Sequence, residues 1–550
     1  MGKRFISSLL AVTMAASLAA GCGSASSDGN GTDTTGSGTD TASAGTEAST
    51  GASQSDDKYS EENPYHLTFA YIEFYQQDDA ARTAVQDAIN DYMIPNYHIE
   101  VELLPMESAE YQRKAQLMMS GGDAVDVLPI QATLASSWIN MGGIYDMTEF
   151  MDTEEGQAIV DALGEELAYA GSMNGILYGF PANKEYVELG GLCMRADICD
   201  ELGITEEYGL EKDKDEYDGK IYDWSVAGEI FAKVKEAYPD MVPFYLNQSS
   251  QINRFVHYDI LSDNFGVIDW ESDPASTTVV NKYETETYKE VVTMLADWYD
   301  KGYIFKDAQI DTAGSSTMMK AGNTFSYTTA IKPGFLAEAE AANGCECYVM
   351  YMGTGIESGE GTRSVLFTGN ACLYNTGIST NSEDPAMAFK FISALYTDPV
   401  LMNLWQYGIE GVNYQVLDDG TAYYAEGENS SNYKYHQNSG WSMGNQMISY
   451  VWNDGTKTPD YWSKLNDHNS WGDVSPTFGF NWDSTKHSTQ VTALNNALNN
   501  YRAALETGSV GVANVESTLK QLNDALYAAG LQDVMDEKQA QLDAWLAKQQ

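Results

Sequence analysis

His66–Phe74 reads HLTFAYIEF, an apolar-rich run with the residue types of a strand. Ala81, Val85, Ala88, Ile89 and Tyr92 then recur at helical spacing. Ile99, Val101 and Leu103 alternate as a second strand, and Tyr111–Met119 continues as a helix that Gly121-Gly122 stops. Val125–Ile130 is a short apolar run of the kind found in buried strands. Strand and helix in strict alternation form a run of βαβ units, so the pattern predicts an α/β fold with a parallel sheet.

Outward from this stretch, Tyr288, Val291, Val292, Leu295, Trp298 and Tyr299 share one helical face closed by Lys301-Gly302, which implies a second α/β region. Asn381-Ser382-Glu383-Asp384-Pro385 and Thr397-Asp398-Pro399 each carry a cap residue followed by Pro and predict two abutting helices. Thr489–Lys548 has a helical pattern broken at Gly508 and Gly530. Tyr414–Asp483 is rich in Trp, Tyr, Asn and Gly without clear period and reads as a loop-rich surface layer.

A chain of 550 residues exceeds one ordinary domain, so at least two lobes are expected. Its net charge of −50 opposes binding to nucleic acid phosphates or anionic lipid. A 43% hydrophobic content is enough apolar surface to fold despite that charge.

At the start, Lys3 and Arg4 precede an apolar run, Phe5–Ala20, with the form of an export signal and short for a membrane span. Leu18-Ala19-Ala20-Gly21-Cys22 resembles a bacterial lipobox, in which Cys22 becomes the lipidated first residue of the mature chain. The alternative is a signal cleaved near Ala20 with Cys22 incidental. Residues 1–22 are thus the signal, and 23–62, almost all Gly, Ser, Thr, Ala and Asp at first, are a flexible tether. The remaining Cys193, Cys199, Cys345, Cys347 and Cys372 are odd in number and read as small buried hydrophobes rather than a disulfide framework.

Catalytic patterns are sparse. Gly440-Trp441-Ser442-Met443-Gly444 fits G-x-S-x-G, with His468 and His487 downstream, but Tyr435-His436-Gln437-Asn438-Ser439 lacks the apolar strand that a nucleophile elbow needs. No two of the six His stand at H-x-x-x-H spacing. The acidic run Asp213–Gly219 misses the register of a calcium loop, so no metal and no cofactor are expected.

Several blocks resemble the extracellular sugar-binding type of solute-binding lipoproteins of bacterial ABC importers: Tyr111–Val127 (YQRKAQLMMSGGDAVDV), Trp298–Asp307 (WYDKGYIFKD) and Met318–Gly334. Leu395–Tyr414 (LYTDPVLMNLWQYGIEGVNY), Trp441–Gln446, Ser475–Asp483 (SPTFGFNWD), Ala529-Gly530-Leu531 and Gln541–Trp545 are similar to the LipO-like subfamily with its characteristic C-terminal domain. The resemblance covers about residues 63–550. It implies a two-lobed periplasmic-binding-protein-like fold with a cleft between the lobes and a helical C-terminal extension. The first lobe would take 63–184 and 333–385, and the second 185–332 and 386–550. It further implies a monomer that captures a carbohydrate, notably an oligosaccharide, and hands it to ABC permease subunits in the membrane. A surface-anchored glycoside hydrolase or esterase, and a binder of peptides or other solutes, are the alternatives.

A sugar site needs aromatic platforms ringed by amides and carboxylates. Trp441, Asn445 and Gln446 supply such a set, although Trp441 serves equally well as packing. Tyr71, Glu73 and Tyr75 alternate at the carboxyl end of the first predicted strand, where sheet packing is the other role for the tyrosines. Tyr407, Glu410 and Asn413 follow a predicted helix end, beside Gly408 and Gly411 that also mark a tight turn. Arg363 either binds hydroxyls or pairs with Glu357 or Glu360.

Overall fold

The computed structural model describes residues 58–187, 189–212, 214–215, 219–353, 364–366, 371–453 and 455–549. Cys22, the signal segment, most of the tether, and Glu357, Glu360 and Arg363 lie outside the described residues. The elements β1 (Tyr65–Glu73), α1 (Asp79–Tyr97), β2 (Ile99–Glu107), α2 (Tyr111–Gly121), β3 (Val127–Gln131) and α3 (Ala132–Asn140) follow in the order the sequence implies. β1 and β2 pair in parallel from Tyr65↔Ile99 to Glu73↔Glu107, and β3 lies parallel on the other side of β1 through Phe69↔Val127.

The period of two along β1 sorts its side chains between two apolar layers. Leu67, Phe69 and Tyr71 pack with Val85, Ile89 and Met93 of α1 and with the helices Pro385–Thr397 and Pro399–Tyr407. Ala70 and Ile72 pack with Tyr111, Ala115 and Met119 of α2 and with Trp138 of α3. Both faces of the strand are buried, as a strand without polar alternation requires. Asp384 and Asp398 cap those two helices, each one residue before its Pro: Asp398 accepts from the Val400 amide at 2.8 Å.

The first sheet has the order β2–β1–β3, then Tyr374–Ile378, then Phe180–Pro181. It is mixed rather than parallel. Tyr374 pairs with Gln131, so the returning strand enters beside the carboxyl end of β3 and runs against it. A second five-stranded sheet sets Leu189–Arg195 between Thr324–Ile331 and Cys347–Gly353, antiparallel to both, with Tyr222–Asp223 and Val242–Tyr245 at the edges. The protein therefore has two lobes, each built on its own sheet.

Two expected boundaries are corrected by pairing and packing. Residues 333–353 do not join the first lobe, because Cys347–Gly353 completes the second sheet. Nor does the start of 386–550 join the second lobe. Phe389, Leu395, Trp405, Tyr435 and Met443 share the apolar layer of β1. The stretch expected as a surface layer is also packed inside, with Tyr414, Tyr424 and Trp452 joining Tyr407 in a buried aromatic cluster.

The C-terminal region is helical as expected, with Ser488–Asn499, Arg502–Glu506, Val515–Ala528 and Leu531–Gln549. Leu494, Leu522, Leu526 and Leu542 complete the core of the second lobe. Lys538, fully buried, docks the last helix: its ammonium lies 2.8 Å from Asp263, 2.9 Å from the Gly266 carbonyl and 4.6 Å from the Trp482 ring centre. Burial lowers the pKa of Lys538, and the Asp263 carboxylate opposes that shift. The region also reaches the first lobe. The Asn481 amide donates to the Ala170 and Ser172 carbonyls at 3.0 and 2.9 Å, and the Asn140 amide of α3 donates to the Thr485 hydroxyl at 2.8 Å.

Candidate functional site

Tyr71 and Glu73 share one side of β1, Tyr75 follows its end, and burial falls along the three as the chain leaves the core. Tyr71 has no exposed surface, and its hydroxyl accepts from the Gln437 amide at 3.1 Å. Tyr71 is a core residue, which corrects the expectation of ligand contact. Glu73 is half-buried and lies 3.1 Å from Arg82 of α1. Burial raises its carboxyl pKa, against the pull of the Arg82 guanidinium. Tyr75 is 45% exposed.

The segment 433–446 folds over this end of β1 and is fixed to it by a ladder of bonds. Gln77 exchanges two hydrogen bonds with the His436 backbone, at 3.2 and 2.6 Å, and the Asp78 amide donates to the Lys434 carbonyl at 2.9 Å. The result brings Trp441 against Phe74, with ring centres 4.7 Å apart, and edge-on to Tyr374 at 5.4 Å. Phe74 and Tyr374 are themselves edge-to-face at 6.1 Å, and Gln131, the last residue of β3, donates to the Tyr374 hydroxyl at 3.4 Å. Trp441 stays half-buried, so part of the indole remains open at the carboxyl ends of β1 and β3. In α/β lobes this end of the strands is where ligands are held.

Of the other expected residues, Asn445, Tyr407 and Asn413 have structural duties. Asn445 is buried, with Oδ1 accepting from the Met447 amide at 3.0 Å and Nδ2 donating to the Tyr396 carbonyl at 3.2 Å. Gln446 is half-buried and opens the short turn Gln446–Ile448. Tyr407 is buried, stacked on His436 at 5.6 Å, and donates to the Tyr450 carbonyl at 3.1 Å. Asn413 is buried and its Oδ1 accepts from the Ile409 amide at 2.9 Å. That side chain fills the space over Gly408, whose φ is +88°; a Cβ there would stand 2.5 Å from Asn413 Oδ1. Glu410 is exposed on the same turn. The site reading is thereby corrected at Tyr71, Tyr407, Asn413 and Asn445, whose polar atoms serve the fold. Phe74 and Tyr374, which sequence reasoning missed, are the rings that surround Trp441. Phe74 was open to discovery as an aromatic at the strand's carboxyl end, whereas Tyr374 joins it only through the tertiary fold.

An aromatic surface of this kind can stack on the C–H face of a ring, while the Glu73–Arg82 pair ties the end of β1 to α1. Ser442 is buried and donates to the Ser439 carbonyl at 2.8 Å, while His468 is buried with Nε2 3.1 Å from the Val187 carbonyl oxygen. No hydrogen bond joins Ser442 to an imidazole among the described residues. The described residues contain no group of three or more His, Cys, Asp or Glu side chains able to hold a metal, and no helix long and apolar enough to cross a membrane. Of the acidic run 213–219, Asp215 accepts from the Leu336 amide at 2.8 Å; Asp213 and 216–218 lie outside the described residues.

The chain is 23% identical over 445 residues to a carbohydrate ABC transporter substrate-binding protein of Streptococcus pneumoniae, covering 80% of this chain and 82% of the relative. An N-glycan transport solute binding protein of the same organism has a similar fold, with a TM-score of 0.70 at 20% identity over 88% of this chain and 100% of that one. A solute binding protein of Bifidobacterium longum infantis described as HMO-binding has a TM-score of 0.56 at 13% identity, over 88% and 99% of the two chains. Residues 476–547 match a domain of unknown function, DUF3502. Residues 87–428 match the bacterial extracellular solute-binding protein family, and the chain belongs to that family.

Proposed function

We propose that the protein captures a carbohydrate of oligosaccharide size outside the cell and delivers it to the permease of an ABC importer. The observation that carries this reading is the half-buried Trp441, set on Phe74 and Tyr374 at the carboxyl ends of β1 and β3. An open aromatic face meets the demand of a pyranose for a partner to its apolar C–H face. The carbohydrate name of the pneumococcal relative supports the same ligand class, as do fold neighbours in complex with Man5GlcNAc and kestose.

In this reading Cys22 carries the lipid that retains the protein at the membrane, the tether lets the body reach the permease, and the body works as a monomer. Calorimetry against an oligosaccharide panel, with chromatography of the recovered sugar, is the test. Tight binding with intact recovery supports capture for transport, and shortened sugars would assign the protein to hydrolysis instead. Fractionation of cells bearing Cys22→Ser tests the anchor, since full membrane association of that variant contradicts it.

A further inference from the structure

A second concave site lies away from the aromatic patch. The hairpin Ser172–Leu177 of the first lobe and the last helix, Leu531–Gln549, enclose a cavity of about 260 Å³, lined among others by Asn174, Gly175, Phe480, Gln541, Trp545 and Lys548. Its walls belong to different bodies. Met173 packs in the first-lobe core, whereas Phe480 and Leu542 pack in that of the second.

Trp545 is half-buried, edge-to-face with Phe480 at 6.0 Å, and its indole lies where a Cβ on Gly479 would stand 3.3 Å from Cζ2. Gly479, at φ +91°, thus lets the ring lie close on the backbone. Gln541 is already engaged: its side chain exchanges hydrogen bonds with the Asp483 backbone at 2.9 and 3.1 Å. Asn174 donates to Asp483 at 3.3 Å. Among the described residues the Trp545 indole N–H and the Lys548 ammonium have no hydrogen-bond or ion-pair partner, so the cavity offers unused donors beside an aromatic ring.

We infer that this cavity is a second carbohydrate site, taking a single neutral pyranose against Trp545. An aromatic ring with unused donors suits a C–H face with acceptor oxygens on its rim. The net charge of −50 disfavours an anionic ligand with the same acceptors. One ring with few polar partners gives weak binding, in the millimolar range. The inference rests on the carbohydrate reading for its ligand class, but on different residues.

The test follows the indole N–H signal of Trp545 by nitrogen-edited NMR of the whole protein, assigned with Trp545→Phe. The probes are methyl α-D-glucopyranoside, methyl α-D-mannopyranoside and N-acetylglucosamine. The expected result is a saturable shift with at least one probe that persists in Trp441→Ala and weakens about five-fold or more in Lys548→Met. A signal unmoved by every probe overturns the inference, as does a shift that disappears in Trp441→Ala. An unmoved Trp545 alongside oligosaccharide binding that Trp441→Ala weakens leaves the proposed function standing. A shifted Trp545 in a protein that binds no oligosaccharide at the Trp441 patch keeps the second site and removes that function.

Discussion

Replacing Trp441 with Ala removes the exposed part of the platform while leaving the Gln77–His436 bonds that hold segment 433–446 in place. A half-buried indole leaves on the order of 50 Å² to be covered by ligand, worth about 1.3 kcal/mol at ~25 cal/mol per Å². Ring stacking adds roughly 1 kcal/mol. The sum of about 2 kcal/mol corresponds to roughly thirty-fold in Kd. Trp441→Phe, which keeps a ring against Phe74 and Tyr374, should lose less than half of that energy. The free protein also loses two aromatic contacts, so its stability should fall by roughly 1–3 kcal/mol without loss of fold. Isothermal titration with the oligosaccharide that binds the parent best reads the affinity, and circular dichroism checks the fold. A folded Trp441→Ala protein that binds this sugar with parental affinity would refute the platform.

Ser442→Ala should leave affinity within a few-fold and abolish no hydrolytic activity, because the buried hydroxyl only donates to the Ser439 carbonyl; an esterase activity lost in this variant would reverse the assignment. Asn413→Ala should cost about 1–2 kcal/mol in urea denaturation, by stranding the Ile409 amide over Gly408, with little change in sugar affinity; a variant impaired in binding but fully stable would return Asn413 to the site. Lys282, buried with its ammonium 3.1 Å from Asn264 Oδ1, has its pKa lowered by burial from 10.5 to about 8. Its charged form therefore penalises the fold below pH 8, and the penalty is relieved as pH rises from 8 towards 10.5, where the unfolded chain still holds the proton. Lys282 should thus add about 2 kcal/mol of stability between about pH 7 and 9.5. Lys282→Met should flatten that rise, and an unchanged pH slope in the variant would contradict the assignment.

The first sheet was legible because its strands and helices alternate locally: β1, α1, β2, α2 and β3 are each encoded by a period within a single window. The helix starts at Asp384 and Asp398 were equally local, being set by a cap residue and the Pro after it. The placement of Cys347–Gly353 was hidden, since its partner strand Leu189–Arg195 lies far away in sequence and no local signal records a return to the second sheet. For the candidate site, the alternation Tyr71, Glu73, Tyr75 points to the carboxyl end of β1. What it did not contain was the depth at which the strand leaves the core, so Tyr71 was placed one step too far out. The YGIEG block drew attention to Tyr407 and Asn413 through turn chemistry. In the fold, that same chemistry consumes their polar atoms.

A two-lobed binder that takes a sugar between its lobes should close on it, since a ligand touching both stabilises the closed form by its differential affinity. Small-angle scattering of the protein with and without the best-binding oligosaccharide, on samples whose sugar is recovered and chromatographed, measures this most directly. The account predicts a smaller radius of gyration at saturation, the unchanged sugar recovered in full, and loss of the compaction in Trp441→Ala at the same sugar concentration. An unaltered scattering curve at saturating sugar, or recovery of cleaved products, would contradict it.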